Sequence, residues 1–281
     1  MLQLVSLKMG WAASVLGMAL AGSVVAGAQQ PATPATSPEA APKPAPKGIS
    51  PAQLEAQKKQ IEHVNQMNHD WPFLNRFHDE DSALPAPAPG ESRVVFMGDS
   101  ITQNWLRNGV PDTEPDPGFF PGKQYVNRGI SGQTTPQMLV RFRQDVVRLK
   151  PKAVVIFAGT NDVAGNTGDM TPEQTEDNLS SMADIAHENG IKVILCSILP
   201  AFDFPWRRGR EPGPKIVAIN TWIKGYAAEH GYVYVDFYAA MVDARGGLPA
   251  NLSKDGVHPV KAGYDIMNPL VEAGIAKAIG R

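Results

Sequence analysis

Five short apolar runs punctuate the chain: "RVVFMG" from Arg93, "QYVNRG" from Gln124, "AVVIFAG" from Ala153, "KVILCSIL" from Lys192 and "YVYVDFY" from Tyr232. Most are continuous rather than alternating and rich in β-branched residues, the pattern of strands buried on both faces. Between them the apolar period lengthens to that of helices, over 135–149, 171–187, 214–230 and 260–279. Strand and helix in alternation predict a parallel sheet covered by helices and joined by right-handed crossovers. The expected α/β domain spans 93–281.

Ahead of that domain the pattern changes three times. Residues 1–28 carry Lys8, an apolar stretch from Met9 and the small-residue end Ala26-Gly27-Ala28. This is the layout of a secretory signal peptide with an A-x-A cleavage site, and it predicts a periplasmic or secreted protein. The stretch also approaches the ~20 apolar residues that span a bilayer, so an uncleaved membrane anchor is the alternative. Residues 29–49 are rich in Pro and Ala and predict an extended linker. Ser50-Pro51-Ala52-Gln53 then reads as a capping box with proline at the first helical position, opening a helix over about 51–68. Residues 50–92 are expected to form a helical segment on the outside of the domain.

Composition narrows the function classes. The 281 residues carry a formal net charge of −2 and no long basic stripe, which argues against a nucleic-acid partner. The single cysteine, Cys196, lies in an apolar run. It permits no intramolecular disulfide and no cysteine metal cluster, and reads as a small core residue.

In open parallel sheets, ligands bind beyond the carboxyl ends of the strands. The predicted ends read "GDS", "NRGISGQTT" and "AGTND", and "KDGVHP" precedes the last helix. Ser100 is either a helix cap or a nucleophile that needs a base to take its proton. Of the six histidines, only His258 lies in a short loop beside an acid. Asp255, three residues earlier, either caps the last helix or sets the imidazole tautomer; Pro259 is expected to open that helix. Gly132 either shapes a turn or brings a bare N–H to a ligand, and Asn161 either caps a turn or offers its amide. Asp99 is expected to organise the turn that carries Ser100.

Taken together, these four blocks resemble the SGNH (or GDSL) hydrolase family, in the family's order from Val94 to Pro259. The spellings look closest to its platelet-activating-factor acetylhydrolase-like and lysophospholipase-like branch. The resemblance implies a flavodoxin-like three-layer α/β/α fold around a five-stranded parallel sheet. It also implies a serine esterase that works without metal or cofactor. In that mechanism Ser100 is the nucleophile, His258 the base and Asp255 its orienting acid. The Ser100 and Gly132 backbone N–H groups and the Asn161 side chain form the oxyanion hole.

Substrate is the open question, since fold and triad do not choose it. No long apolar lid is seen, so a short acyl group on a polar alcohol, as in a carbohydrate O-acetyl ester, is the leading expectation. A lysophospholipase follows closely, and an acyltransferase would use the same acyl-enzyme. Trp206 and Arg207, in a long segment after the fourth strand, are candidate substrate contacts if that segment is not simply solvated. A non-catalytic binding module on the same fold would be expected to have lost one of Ser100, Gly132, Asn161 or His258. A nicotinamide domain is disfavoured because no G-x-G-x-x-G follows the first strand. A metallohydrolase is disfavoured because no second histidine stands near His258.

Overall fold

The computed structural model describes residues 50–111 and 115–280. The expected signal peptide and the expected linker lie outside the described residues. Helix α1 (Pro51–His69) and α2 (His78–Ala83) precede the sheet. Then follow β1 (Val94–Gly98), α3 (Ser100–Asn104), β2 (Tyr125–Gly129), α4 (Thr135–Asp145) and β3 (Ala153–Phe157). After these come α5 (Thr160–Ala164), α6 (Pro172–Glu188), β4 (Lys192–Cys196), α7 (Pro212–Glu229), β5 (Val233–Val235), α8 (Phe237–Met241) and α9 (Lys261–Ile279).

The five strands form one parallel sheet in the order β2-β1-β3-β4-β5. Alternate side chains on each strand serve opposite layers, because the strand period is two. Val95, Met97, Val154 and Ile156 pack under α4, α6 and α7. Val94, Phe96, Val155 and Phe157 pack under α3, α8 and α9. With both faces covered, the continuous apolar spelling of β1 and β3 has its physical cause. Cys196 is buried in the second layer, and burial raises its thiol pKa.

The elements depart from expectation in several places. The helix expected over 135–149 ends at Asp145 as α4, and 147–149 form a separate 3-10 turn. β5 stops at Val235, since the Asp236 carboxylate accepts the Ala239 N–H at 2.9 Å and turns the chain into α8. Pro259 does not open the final helix; α9 begins at Lys261, with Val260 as its N-cap. The short helices α2, α5 and α8 carry too few residues to show a period.

The capping box of α1 is formed as read, Ser50 Oγ accepting from Gln53 N–H at 3.2 Å and Gln53 Oε1 from Ser50 N–H at 2.8 Å. The turn after α1 is held by three glutamine amides. Gln137 donates to the Trp71 carbonyl at 2.7 Å, Gln133 to Pro72 at 3.0 Å and Gln144 to Leu74 at 2.6 Å. Arg128, at the end of β2, ties α2 down by donating to Asp81 at 2.8 Å. Among the described residues, no helix is long and apolar enough to cross a membrane.

Candidate active site

β1 ends at Gly98 and α3 starts two residues later. The tight reversal needs glycine, because a Cβ on Gly98 would lie 2.0 Å from Thr102 Oγ1 and 2.7 Å from the Phe157 carbonyl oxygen. Asp99 is the N-cap, its carboxylate accepting from Ile101 N–H at 2.9 Å. The capping role therefore falls to Asp99, and the Ser100 hydroxyl is left to make another bond. That bond runs to His258, with Oγ 2.9 Å from Nε2.

His258 comes from the loop before α9. Its Nδ1 lies 2.7 Å from Asp255 Oδ2. The other carboxylate oxygen accepts from Ser253 Oγ at 3.0 Å, Val257 N–H at 3.0 Å and His258 N–H at 2.8 Å. Burial raises the Asp255 pKa, but these hydrogen bonds and the adjacent imidazole outweigh it and hold the carboxyl down to about 2. An ionised carboxylate only accepts, so His258 Nδ1 must donate. In the neutral imidazole, Nε2 is then the acceptor that faces the Ser100 O–H. The three-residue spacing seen in the sequence does bring the acid to the ring.

Behind the serine lies a buried polar platform. Gly132 has φ 79°, a left-handed conformation that suits glycine. Asn161 sits on α5, and its amide donates to the Gln133 carbonyl at 2.9 Å and lies 3.4 Å from Asp99 Oδ2. Asn166 was not found by sequence reasoning, yet it joins these parts. It donates to Asn161 Oδ1 at 2.8 Å and to the Gly132 carbonyl at 3.2 Å, and accepts from the Trp206 indole at 3.0 Å. Trp206 in turn places its ring 5.8 Å from the His258 ring. Arg207 lines the same depression as Trp206, Gly132 and Asn166. Arg210, in the same segment, is paired with Asp169 at 2.6 Å.

Two buried carboxyls underlie the platform. Burial pushes Asp99 up to about 6 against the pull of the Ile101 N–H and the nearby His258. It likewise pushes Asp162 up to about 6 against hydrogen bonds from Thr135. Asp162 receives the Thr135 hydroxyl and backbone N–H, and so fastens α5 to the start of α4.

Arg141 is the second feature the sequence reading passed over. It is fully buried and donates to the Gly98 carbonyl at 3.2 Å, the Arg128 carbonyl at 2.8 Å, Gln133 Oε1 at 2.6 Å and Asp145 at 2.9 Å. It thus pins the ends of β1 and β2 and the Gln133 side chain at once. The detectable signal was a charged i,i+4 pair, Arg141 and Asp145, on the same helix as buried Met138 and Phe142.

Phe73, in the turn held by the glutamines, has φ 60°. A bulky side chain there is an outlier, and such backbone strain costs on the order of 1–3 kcal/mol. Among the described residues, no group of three or more His, Cys, Asp or Glu is placed to hold a metal ion.

Residues 96–266 match the model of the GDSL-like lipase/acylhydrolase family. A solved GDSL-like lipase from Bacteroides thetaiotaomicron is 46% identical, with TM-score 0.70, over 74% of this chain and 100% of that one. Esterase TesA of Pseudomonas aeruginosa is 30% identical over 174 residues, 62% of this chain and 78% of the esterase. A protein named acetylxylan esterase from Geobacillus stearothermophilus is 30% identical over 203 residues, 62% of this chain and 90% of that protein. The chain belongs to the GDSL-like lipase/acylhydrolase family, with the three-layer α/β/α fold, and is a carboxylic ester hydrolase.

Proposed function

We propose that the protein is a serine esterase that removes short acyl groups from polar alcohols, carbohydrate O-acetyl esters foremost. The observation that carries the serine-esterase mechanism is the unbroken chain from Ser100 Oγ through His258 to Asp255, with links of 2.9 and 2.7 Å. Ser100 attacks the ester carbonyl as Nε2 of His258 takes its proton, and Asp255 stabilises the imidazolium that forms. The tetrahedral oxyanion is received by the Ser100 and Gly132 N–H groups and the Asn161 amide. His258 returns the proton to the leaving alcohol, then takes one from water to release the acid and regenerate Ser100.

Two observations support the short acyl group and the polar alcohol. Phe119 and Phe120, in the segment after the nucleophile, are committed to an aromatic cluster with Phe96, so they do not form an acyl-chain lid. The acetylxylan esterase relative is named for an acetylated glycan. Reading residues 1–28 as a cleaved signal puts such a substrate outside the cytoplasm.

The test is hydrolysis of p-nitrophenyl esters from acetate to long acyl chains, by the wild type and by Ser100→Ala. Activity highest on acetate and reduced by roughly 10⁴-fold or more in the variant is expected. Activity that rises with chain length would replace the glycan ester with a lysophospholipid. Equal activity in the variant would remove Ser100 from the mechanism.

A further inference from the structure

The segment before the family domain reaches the site. A cavity of about 360 Å³ opens beside Gly132, and its walls include Gln60 and Met67 of α1, Phe73 of the following turn, and Trp206 and Arg207. Gln60, Met67 and Phe73 precede residues 96–266, which match the family model. This volume lies within the range of small-ligand sites, about 300–1,000 Å³.

Its position identifies which half of an ester it would hold. His258 must hand its proton to the leaving alcohol, so the alcohol lies against the imidazole. Trp206 sits with its ring 5.8 Å from His258 and also walls the cavity. Trp206 thus joins the cavity to the side of the site from which the alcohol leaves, and Gly132 borders it toward the nucleophile. Its chemistry is mixed: aromatic faces from Phe73 and Trp206, with an amide from Gln60 and a guanidinium from Arg207. Aromatic rings suit the C–H faces of a sugar, and the amide and guanidinium suit its hydroxyl edges.

The turn is also held in an uncommon conformation. Phe73 is only half-buried and holds φ 60°, while glutamine side chains grip the carbonyls on both sides of it. Strained backbone held by surrounding bonds is a feature of ligand clamps. We propose that α1 and the Phe73 turn form a sugar-binding subsite for the alcohol half of the substrate, Phe73 and Trp206 being its two aromatic walls. The proposal rests on the glycan-ester reading above.

The test compares kcat/KM for an acetylated xylo-oligosaccharide with kcat/KM for p-nitrophenyl acetate in the full-length protein. Phe73→Gly removes the ring and tolerates the left-handed backbone. Gln60→Ala lies on the exposed surface of α1 and leaves the fold intact. Loss of an aromatic anchor should lower the saccharide-to-acetate ratio by about tenfold in Phe73→Gly, mostly through KM, and by about threefold in Gln60→Ala. A wild type active on the saccharide with unchanged ratios in both variants would overturn the subsite and leave the glycan esterase standing. A wild type that cleaves p-nitrophenyl acetate but not the saccharide would overturn both.

Discussion

The two halves of the site are built in opposite ways. The floor of the platform under Ser100 is closed off from water, with Asp99 2% exposed and Asn161 3%, while Gly132 lies exposed at its edge. The acid–base arm is open, with Asp255 and His258 side chains 39% and 30% exposed. Their carboxyls respond accordingly. Burial dominates at Asp99 and pushes it up to about 6, while hydrogen bonds prevail at Asp255 and hold it down to about 2. A platform that must not move is fixed by dry, multiply bonded groups such as Arg141. An arm that must exchange protons is held by one tight local turn and left near solvent.

The largest effect should come from the arm. Asp255→Asn keeps the shape but no longer demands a donor at Nδ1, so the His258 tautomer is lost and kcat should fall about 10⁴-fold. A fall of less than tenfold in steady-state kinetics would show that the arm does not depend on its carboxylate. On the platform, Asn161→Ala should lower kcat by about 10²–10³-fold with little change in KM, the signature of a donor used in the transition state.

The contrast also has a pH signature in stability. Asp255, depressed to about 2, contributes stability that is present above its ordinary value of 3.8 and is lost as pH falls toward 2. Asp99, raised to about 6, behaves oppositely. Below 3.8 both folded and unfolded states hold its proton. Between 3.8 and 6 only the folded state does, so stability falls as pH rises, and above 6 the penalty is complete. Asp99→Asn can still cap α3 and should flatten the slope between pH 4 and 6, adding on the order of 2 kcal/mol at neutral pH. Thermal melts across that range decide it; an unchanged slope would remove Asp99 as its source. The smallest effect is expected at Asn166, which steadies Asn161 without being a donor to the oxyanion in the proposed mechanism. Asn166→Ala should reduce kcat by about tenfold, the size of one lost hydrogen bond. A loss as large as that of Asn161→Ala would give Asn166 a direct role.

The legible parts of the molecule were those whose cause is local or periodic. β1 and β3 read as apolar runs because helices cover both their faces, and the α1 start read from Ser50 and Gln53 alone. Ser100, Gly132, Asn161, Asp255 and His258 were visible because each follows a strand or precedes the last helix. Asn166 and Trp206 were not visible as a pair: their bond joins segments 40 residues apart. The glutamine grip on the Phe73 turn spans still greater separations, 61 to 70 residues. Arg141 was not legible because two of its four partners are the Gly98 and Arg128 backbone carbonyls on other elements, which sequence does not distinguish. β5 was overextended because Asp236 caps a helix too short to show a period.

The central claim is that Ser100 is the nucleophile activated by His258. The most direct measurement is intact and peptide mass spectrometry after exposure to a fluorophosphonate ester. One phosphonyl group, localised to Ser100 in the wild type and formed far more slowly in His258→Ala, is the expected result. Labelling at another residue, or at Ser100 with the same rate in both proteins, would contradict it.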